Sequence, residues 1–182
     1  VMGDSLAIEA VEGNLGDRLT LKGVSYSQPG MQLDVASVGL AWHPAALLGG
    51  TLQVAELRVS GVQVQLLETD ETPSESTAFD IEALRPPVDI SLAKLAISDL
   101  AVVLPDGTRY PISSVEAALE VVGDEVQLRS LTVDAPQGEL SASLTAELNA
   151  SLPLEGSLDW HAALPDGREA GGLLTLAGSA ER

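Results

Sequence analysis

The sequence predicts an all-β protein: one elongated, curved antiparallel sheet of repeating units, with an apolar concave face and at most one or two very short helices. Three observations lead there. Most of the 182 residues fall into short segments of alternating apolar and polar residues separated by turn residues. The segment Thr51–Leu66, "TLQVAELRVSGVQVQL", changes the parity of its apolar positions twice, at Val54 to Leu57 and at Val59 to Val62. That pattern recurs elsewhere at a fixed spacing, the mark of a repeated structural unit.

In chain order, the candidate strands begin with Ser5–Ile8, Arg18–Tyr26 and Gln32–Trp42, short segments of alternating apolar residues, with a three-residue step at Leu21 to Val24. "HPAALLGG" follows, with Pro44 at a first helical position and Gly49 as a stop, enough for one or two turns. Thr51–Leu67 is the next strand. "ETDETPSESTAFDIEALRPP" (Glu68–Pro87) then places six acids before its one basic residue, Arg85, and carries three prolines. It lacks the apolar surface to offset ordering and reads as an exposed, disordered insertion, lacking the Gly hinge of a calcium loop. Strands resume over Asp89–Leu104, Val115–Val122, Glu125–Val133, Glu139–Leu148 and Leu154–Ala163. "LPDG" occurs at Leu104–Gly107 and Leu164–Gly167, where Pro, Asp and Gly supply the backbone of a hairpin turn. The organisation is therefore a first sheet segment over 1–67, an acidic loop over 68–88, and a continuation of the sheet over 89–182.

Setting Thr51–Leu66 above Asp89–Leu104 aligns Leu57 with Leu95, an offset of 95 − 57 = 38, and every apolar position matches. A partial third copy, "LTLKGVSY" (Leu19–Tyr26), has the same offset, 57 − 19 = 38, but fails upstream. A weaker echo is "LTVDAPQGEL" (Leu131–Leu140), at 131 − 95 = 36. A three-residue step between apolar positions is a β-bulge or sharp bend that returns the apolar side to the same face. Gly23, Gly61 and Asp99, with Ser60 and Ser98 beside the last two, supply the permissive backbone. Side by side, such units make a continuous sheet with one apolar face.

Composition narrows the function. Hydrophobic residues make up 45% of the chain but aromatics only 3%, so the apolar content is aliphatic and unsuited to stacking on bases or sugars. The 27 acids against 9 basic residues give a net charge of −18, which repels nucleic acid and anionic head groups. There are no cysteines, hence no disulfide or thiolate chemistry. No apolar run is long enough to cross a membrane as a helix. His43 and His161 have no ligand partner at metal spacing, and no nucleophile motif, phosphate loop or G-x-G-x-x-G opens a helix. The chain reads as a non-enzyme without metal or cofactor. Alternating aliphatics by themselves favour a filled sandwich or solenoid core; scarce aromatics, face-preserving bends and an acidic remainder fit an open groove as well.

The stretch Leu6–Leu66 resembles the N-terminal periplasmic region of the TamB family, within the wider AsmA-like proteins. The matching elements are "VEGNL" (Val11–Leu15), "LTLKGVSYSQPG" (Leu19–Gly30) and the Leu/Val/Gly frame of Leu47–Leu66, followed by an acidic, proline-bearing insertion and "ISLAKLAISDLAVVL" (Ile90–Leu104). The likeness is good over the first 104 residues and loose beyond. It implies a U-shaped "β-taco" whose groove carries phospholipid acyl chains between the inner and outer membranes. The groove lining implied is Leu19, Leu21, Val24, Tyr26, Leu52, Val54, Leu57, Val59, Val62, Val64, Ile90, Leu92, Leu95, Ile97, Leu100 and Val102. The alternative is a scaffold for outer-membrane protein assembly, acting by β-augmentation with the Omp85-type partner TamA. The family implies the periplasm of a Gram-negative bacterium and an inner-membrane anchor. The anchor is absent here, so the chain reads as a fragment beginning just after it. Open sheet ends make end-to-end self-association a further expectation.

Overall fold

The computed structural model describes residues 5–67, 86–148, 153–164 and 167–179. Ten strands make up about 80% of them. They are β1 (Ser5–Gly13), β2 (Arg18–Gln28), β3 (Met31–His43), β4 (Thr51–Leu66) and β5 (Asp89–Val103), then β6 (Arg109–Val122), β7 (Glu125–Ala135), β8 (Gly138–Glu147), β9 (Pro153–Ala163) and β10 (Glu169–Ser179). All ten belong to one open, curved sheet in the order β1 to β10. The only helical element among the described residues is a 3-10 turn, Pro44–Gly49, with Pro44 at its start as expected. Gly50, not Gly49, takes the left-handed stop, at φ 81°.

Every neighbouring pair is antiparallel except β4 and β5. These two run parallel, with Thr51 opposite Asp89 and Leu57 opposite Leu95. The spacing of 38 seen in the sequence is thus the pairing register itself. A wholly antiparallel sheet was expected; the exception arises because two copies of one pattern superpose their bends without a shift when they run the same way. A parallel neighbour needs a connection that returns the strand's length. Sixteen strand residues span about 50 Å, and the 22 residues of 67–88 reach up to about 75 Å. The disordered character expected of the acidic segment falls mostly on 68–85, outside the described residues.

Both parity changes are backbone features. Between β1 and β6 a line of positions drops out of the pairing: Glu9, Gly23, Ala36, Gly61, Asp99 and Ser113. Each pair of neighbours skips one residue on both strands, so the register survives while the strands bend. Along that line Gly23, Gly61 and Asp99 have φ of 57°, 63° and 56°. The second line is made of bulges. Ala55 is extra in β4 relative to β3, one residue is extra in β5 relative to β6, and Arg129 is extra in β7. Leu57, Leu95 and Leu131 each resume the apolar face just after it.

The hairpins follow the turn chemistry. In Leu104–Gly107 the Gly107 N–H donates to Leu104 O at 2.9 Å, and Gly107 lies at φ 83°. The Thr108 N–H donates to Asp106 Oδ1 at 2.8 Å, which holds the Asp106 carboxyl below the usual carboxylate range. Leu164 and Gly167 repeat the closing bond at 3.0 Å.

One strand starts earlier than expected, and one went unforeseen. Strand β6 begins at Arg109, well before Val115, across Pro111. There Pro111 pairs only with Ala101 of β5, since β7 joins at Ser114, so the missing N–H leaves no ladder bond unmade on the other side. Strand β10 escaped notice because Gly171, Gly172 and Gly178 and the adjacent Leu173 and Leu174 break simple alternation.

Candidate functional site

Lateral pairing sorts the side chains of β1–β10 into transverse rows. One row runs Leu19, Leu40, Leu57, Leu95, Ala117, Leu131, Ala142, Leu158, Leu174 from β2 to β10. The next runs Val11, Leu21, Val38, Val59, Ile97, Val115, Val133, Leu140, Trp160 from β1 to β9. Directly paired residues point to the same side of a sheet, so these rows share one face.

All sixteen residues singled out from sequence fall into such rows. Leu19, Leu57 and Leu95 share the first, and Leu21, Val59 and Ile97 the second. Val24, Val62 and Leu100 are aligned below the bend, then Tyr26, Val64 and Val102. Leu52 stands beside Ile90, and Val54 beside Leu92, above the bulges. On β2 and β4 the offset of 38 is bridged by β3, whose Leu40, Val38, Val35 and Leu33 complete the rows.

Those β3 residues were missed, as were Val115, Leu119 and Val121 of β6. They lie on antiparallel strands, where equivalence shows only in reversed order. For β3 and β4 the partner numbers have a constant sum: 40 + 57, 38 + 59 and 35 + 62 all give 97. A comparison of the sequence with its own reverse would have found them.

The face is apolar. Among the described residues no helix and no second sheet is laid on it. Of the sixteen residues only Val54 and Val62 count as buried, each at 8% exposure; the other fourteen keep part of their surface. No side chain among the described residues is fully buried. A filled core would have put the central rows out of reach of water.

Aromatic residues stand near the strand ends. Tyr26 and Tyr110 share the row of Leu33, Val64 and Val102, and the Tyr26 hydroxyl donates to Gln28 Oε1 at 3.2 Å. The Trp160 indole lies against Gly172, where an added β-carbon would come 3.0 Å from Nε1. Trp42, paired with Val54, holds its indole N–H buried without an acceptor, a cost no sequence signal revealed.

The opposite face is polar. Its rows include Lys22, Ser37, Ser60, Ser98, Ser114, Asp134. Ser114 donates to Asp134 Oδ2 at 2.7 Å, and Lys22 and Lys94 meet Glu12 and Glu116 at 2.7 and 3.3 Å. Arg58 and Glu56 pair at 2.6 Å, and Arg129 pairs with Glu120. These exposed pairs add little stability and serve chiefly to keep this face wet. His161 Nδ1 is 3.4 Å from Asp159 on the same face, and His43 precedes the 3-10 turn.

No helix among the described residues is long and apolar enough to cross a membrane. A family model described as TamB, N-terminal domain, matches residues 2–109, more than half of the chain and all of β1 to β5. No curated protein matches the chain, and no solved structure does.

Proposed function

The chain belongs to the TamB family of bacterial-envelope proteins, and on that premise we propose that its apolar face carries phospholipid acyl chains through the periplasm, in a protein anchored in the inner membrane. One observation supports this reading above the rest. Aliphatic rows run unbroken across the sheet, and among the described residues nothing covers them.

The driving force is removal of methylenes from water, about 0.8 kcal/mol for each one buried. No head-group pocket is required. Rows of chemically equivalent Leu, Val and Ile present many shallow sites of similar affinity, so a chain laid across them meets no deep trap. On this reading the bends keep those rows on the inside of the curve, and the polar face stays in water. Three shallow depressions outlined by described residues lie mainly on the polar face or at the strand ends.

A charge in the middle of a row would have to be desolvated by each passing acyl chain, at a cost of a few kcal/mol. Val59→Glu and Ile97→Glu should therefore stop lipid transfer by the protein that contains this chain, while circular dichroism of the purified chain stays that of the parent. Folded variants that transfer lipid at the parental rate would overturn the assignment of these rows.

The assembly reading, with TamA as the outer-membrane partner, draws on backbone edges instead of the apolar rows. The backbone edges that the described sheet leaves without a neighbouring strand, such as that of β10, are the observation that favours it. Proline in that edge would abolish assembly and leave lipid transfer intact, the reverse of the Val59→Glu pattern.

A further inference from the structure

Turns between strands are ordinarily polar. Asn14 and Asp17 stand in the β1–β2 turn, Asp106 and Thr108 in the β5–β6 turn, Asp124 in the β6–β7 turn and Gln137 in the β7–β8 turn. The 3-10 turn between β3 and β4 departs from this: from Pro44 to Gly50 there is no polar side chain. None of Pro44–Gly49 is buried, and Leu47 and Leu48 are 40% and 95% exposed. The uncharged stretch extends well beyond the turn. No Asp, Glu, Lys or Arg occurs from Val35 to Ala55, in a chain of net charge −18. Trp42 and His43 stand at the base of the turn, and rings with an apolar body and a polar tip suit a boundary between water and hydrocarbon.

The turn is joined to the apolar face. The Asp89 N–H donates to Gly50 O at 3.0 Å, which fixes the turn to the start of β5. Leu52 beside Ile90, and the row of Trp42, Val54 and Leu92, bring the ends of the apolar rows to its base. We propose that this turn is a bilayer-insertion tip: Leu47 and Leu48 enter the hydrocarbon boundary of a lipid membrane, beside the rows that take up the acyl chain. The proposal rests on the lipid-carrying reading of those rows. A protein partner is recognised through hydrogen bonds as well as apolar area, and the tip has no side chain to make one. Hydrocarbon requires none, because its attraction for Leu is the removal of apolar surface from water. The acidic remainder of the chain is repelled by anionic head groups, so the contact is shallow, reversible and apolar, not electrostatic.

The chain has no cysteine, so a polarity-sensitive fluorophore can be placed at one position through Leu48→Cys. With phosphatidylcholine vesicles its emission should move to shorter wavelength and be quenched by brominated acyl chains, at low and high salt alike. The same fluorophore on Gln137→Cys, exposed in a turn at the opposite strand ends, should not respond. Leu48→Asp should keep the circular dichroism of the parent, since Leu48 has almost no packing to lose. It should co-sediment with vesicles several-fold less and draw several-fold less phospholipid out of them, yet hold lipid supplied from detergent solution at the parental level. No response at Leu48→Cys, an equal response at Gln137→Cys, a response that grows with protein concentration in the absence of vesicles, or parental vesicle binding by Leu48→Asp would each overturn the proposal. A parent chain that holds no lipid from detergent solution, while Leu48→Cys still enters vesicles, would support the tip and overturn the reading of the rows.

Discussion

Gly23, Gly61 and Asp99 hold left-handed backbone in the middle of strands, and Asp99 is the one non-glycine among the described residues to do so. A β-carbon on Gly61 would stand 2.7 Å from the Ala36 Cβ, so the site rejects a side chain on two counts: backbone and space. Gly61→Ala is predicted to lower stability by about 1–3 kcal/mol in denaturant unfolding. Adding Ala36→Gly should recover the steric part alone, which a double-mutant cycle separates from the backbone part. Asp99→Asn should be near neutral, because Asn tolerates this conformation, whereas Asp99→Val should cost more than 1 kcal/mol. At Asp106 the sign of the pH effect follows from a carboxyl whose folded pKa is lowered by the Thr108 N–H. Its contribution is present above the unfolded value and is lost as pH falls through the folded one, below about pH 4. NMR of the Thr108 amide should report loosening of this turn only in that acid range. These positions were readable in advance because Gly, Asp and Pro act through their own backbones. The orphaned indole of Trp42 was not, since it depends on neighbours from other strands.

At the level of elements, the three-residue steps work as hinges within strands. Removing Ala55 would erase one bulge and, by the two-residue period, turn Leu52 and Val54 to the polar face. That deletion is predicted to lower the unfolding midpoint far more than deletion of Leu48, which is almost wholly exposed in the 3-10 turn. The repeats at offsets of 38 and 36 disclosed strands that run in the same direction, β2, β4, β5 and β7. They were silent on β3 and β6, whose likeness is reversed, and on β10, whose glycines dilute the pattern. The parallel pairing of β4 and β5 was implicit in the exact match of their bends, yet nothing in either strand alone says that they touch. Register is a property of the pair.

Over the whole molecule, a sequence that is 45% hydrophobic has only seven buried hydrophobic residues among those described, because the single curved sheet they form carries no second layer of described residues. The net charge of −18 belongs with this arrangement: a protein with a long apolar face stays dispersed only if the rest of its surface repels its own kind. Sequence alone left a filled core and an open groove both standing, since alternation is the same for a strand whose apolar side meets another sheet and one whose apolar side meets a ligand. Among the described residues no second layer lies on the rows. The most direct measurement of the central claim is native mass spectrometry of the purified chain followed by lipid extraction. Phospholipid carried through purification, and lost in Val59→Glu, is the predicted result. A chain free of lipid and detergent, with hydrogen exchange showing the rows from Leu19 to Leu95 sealed in a dry core, would contradict it.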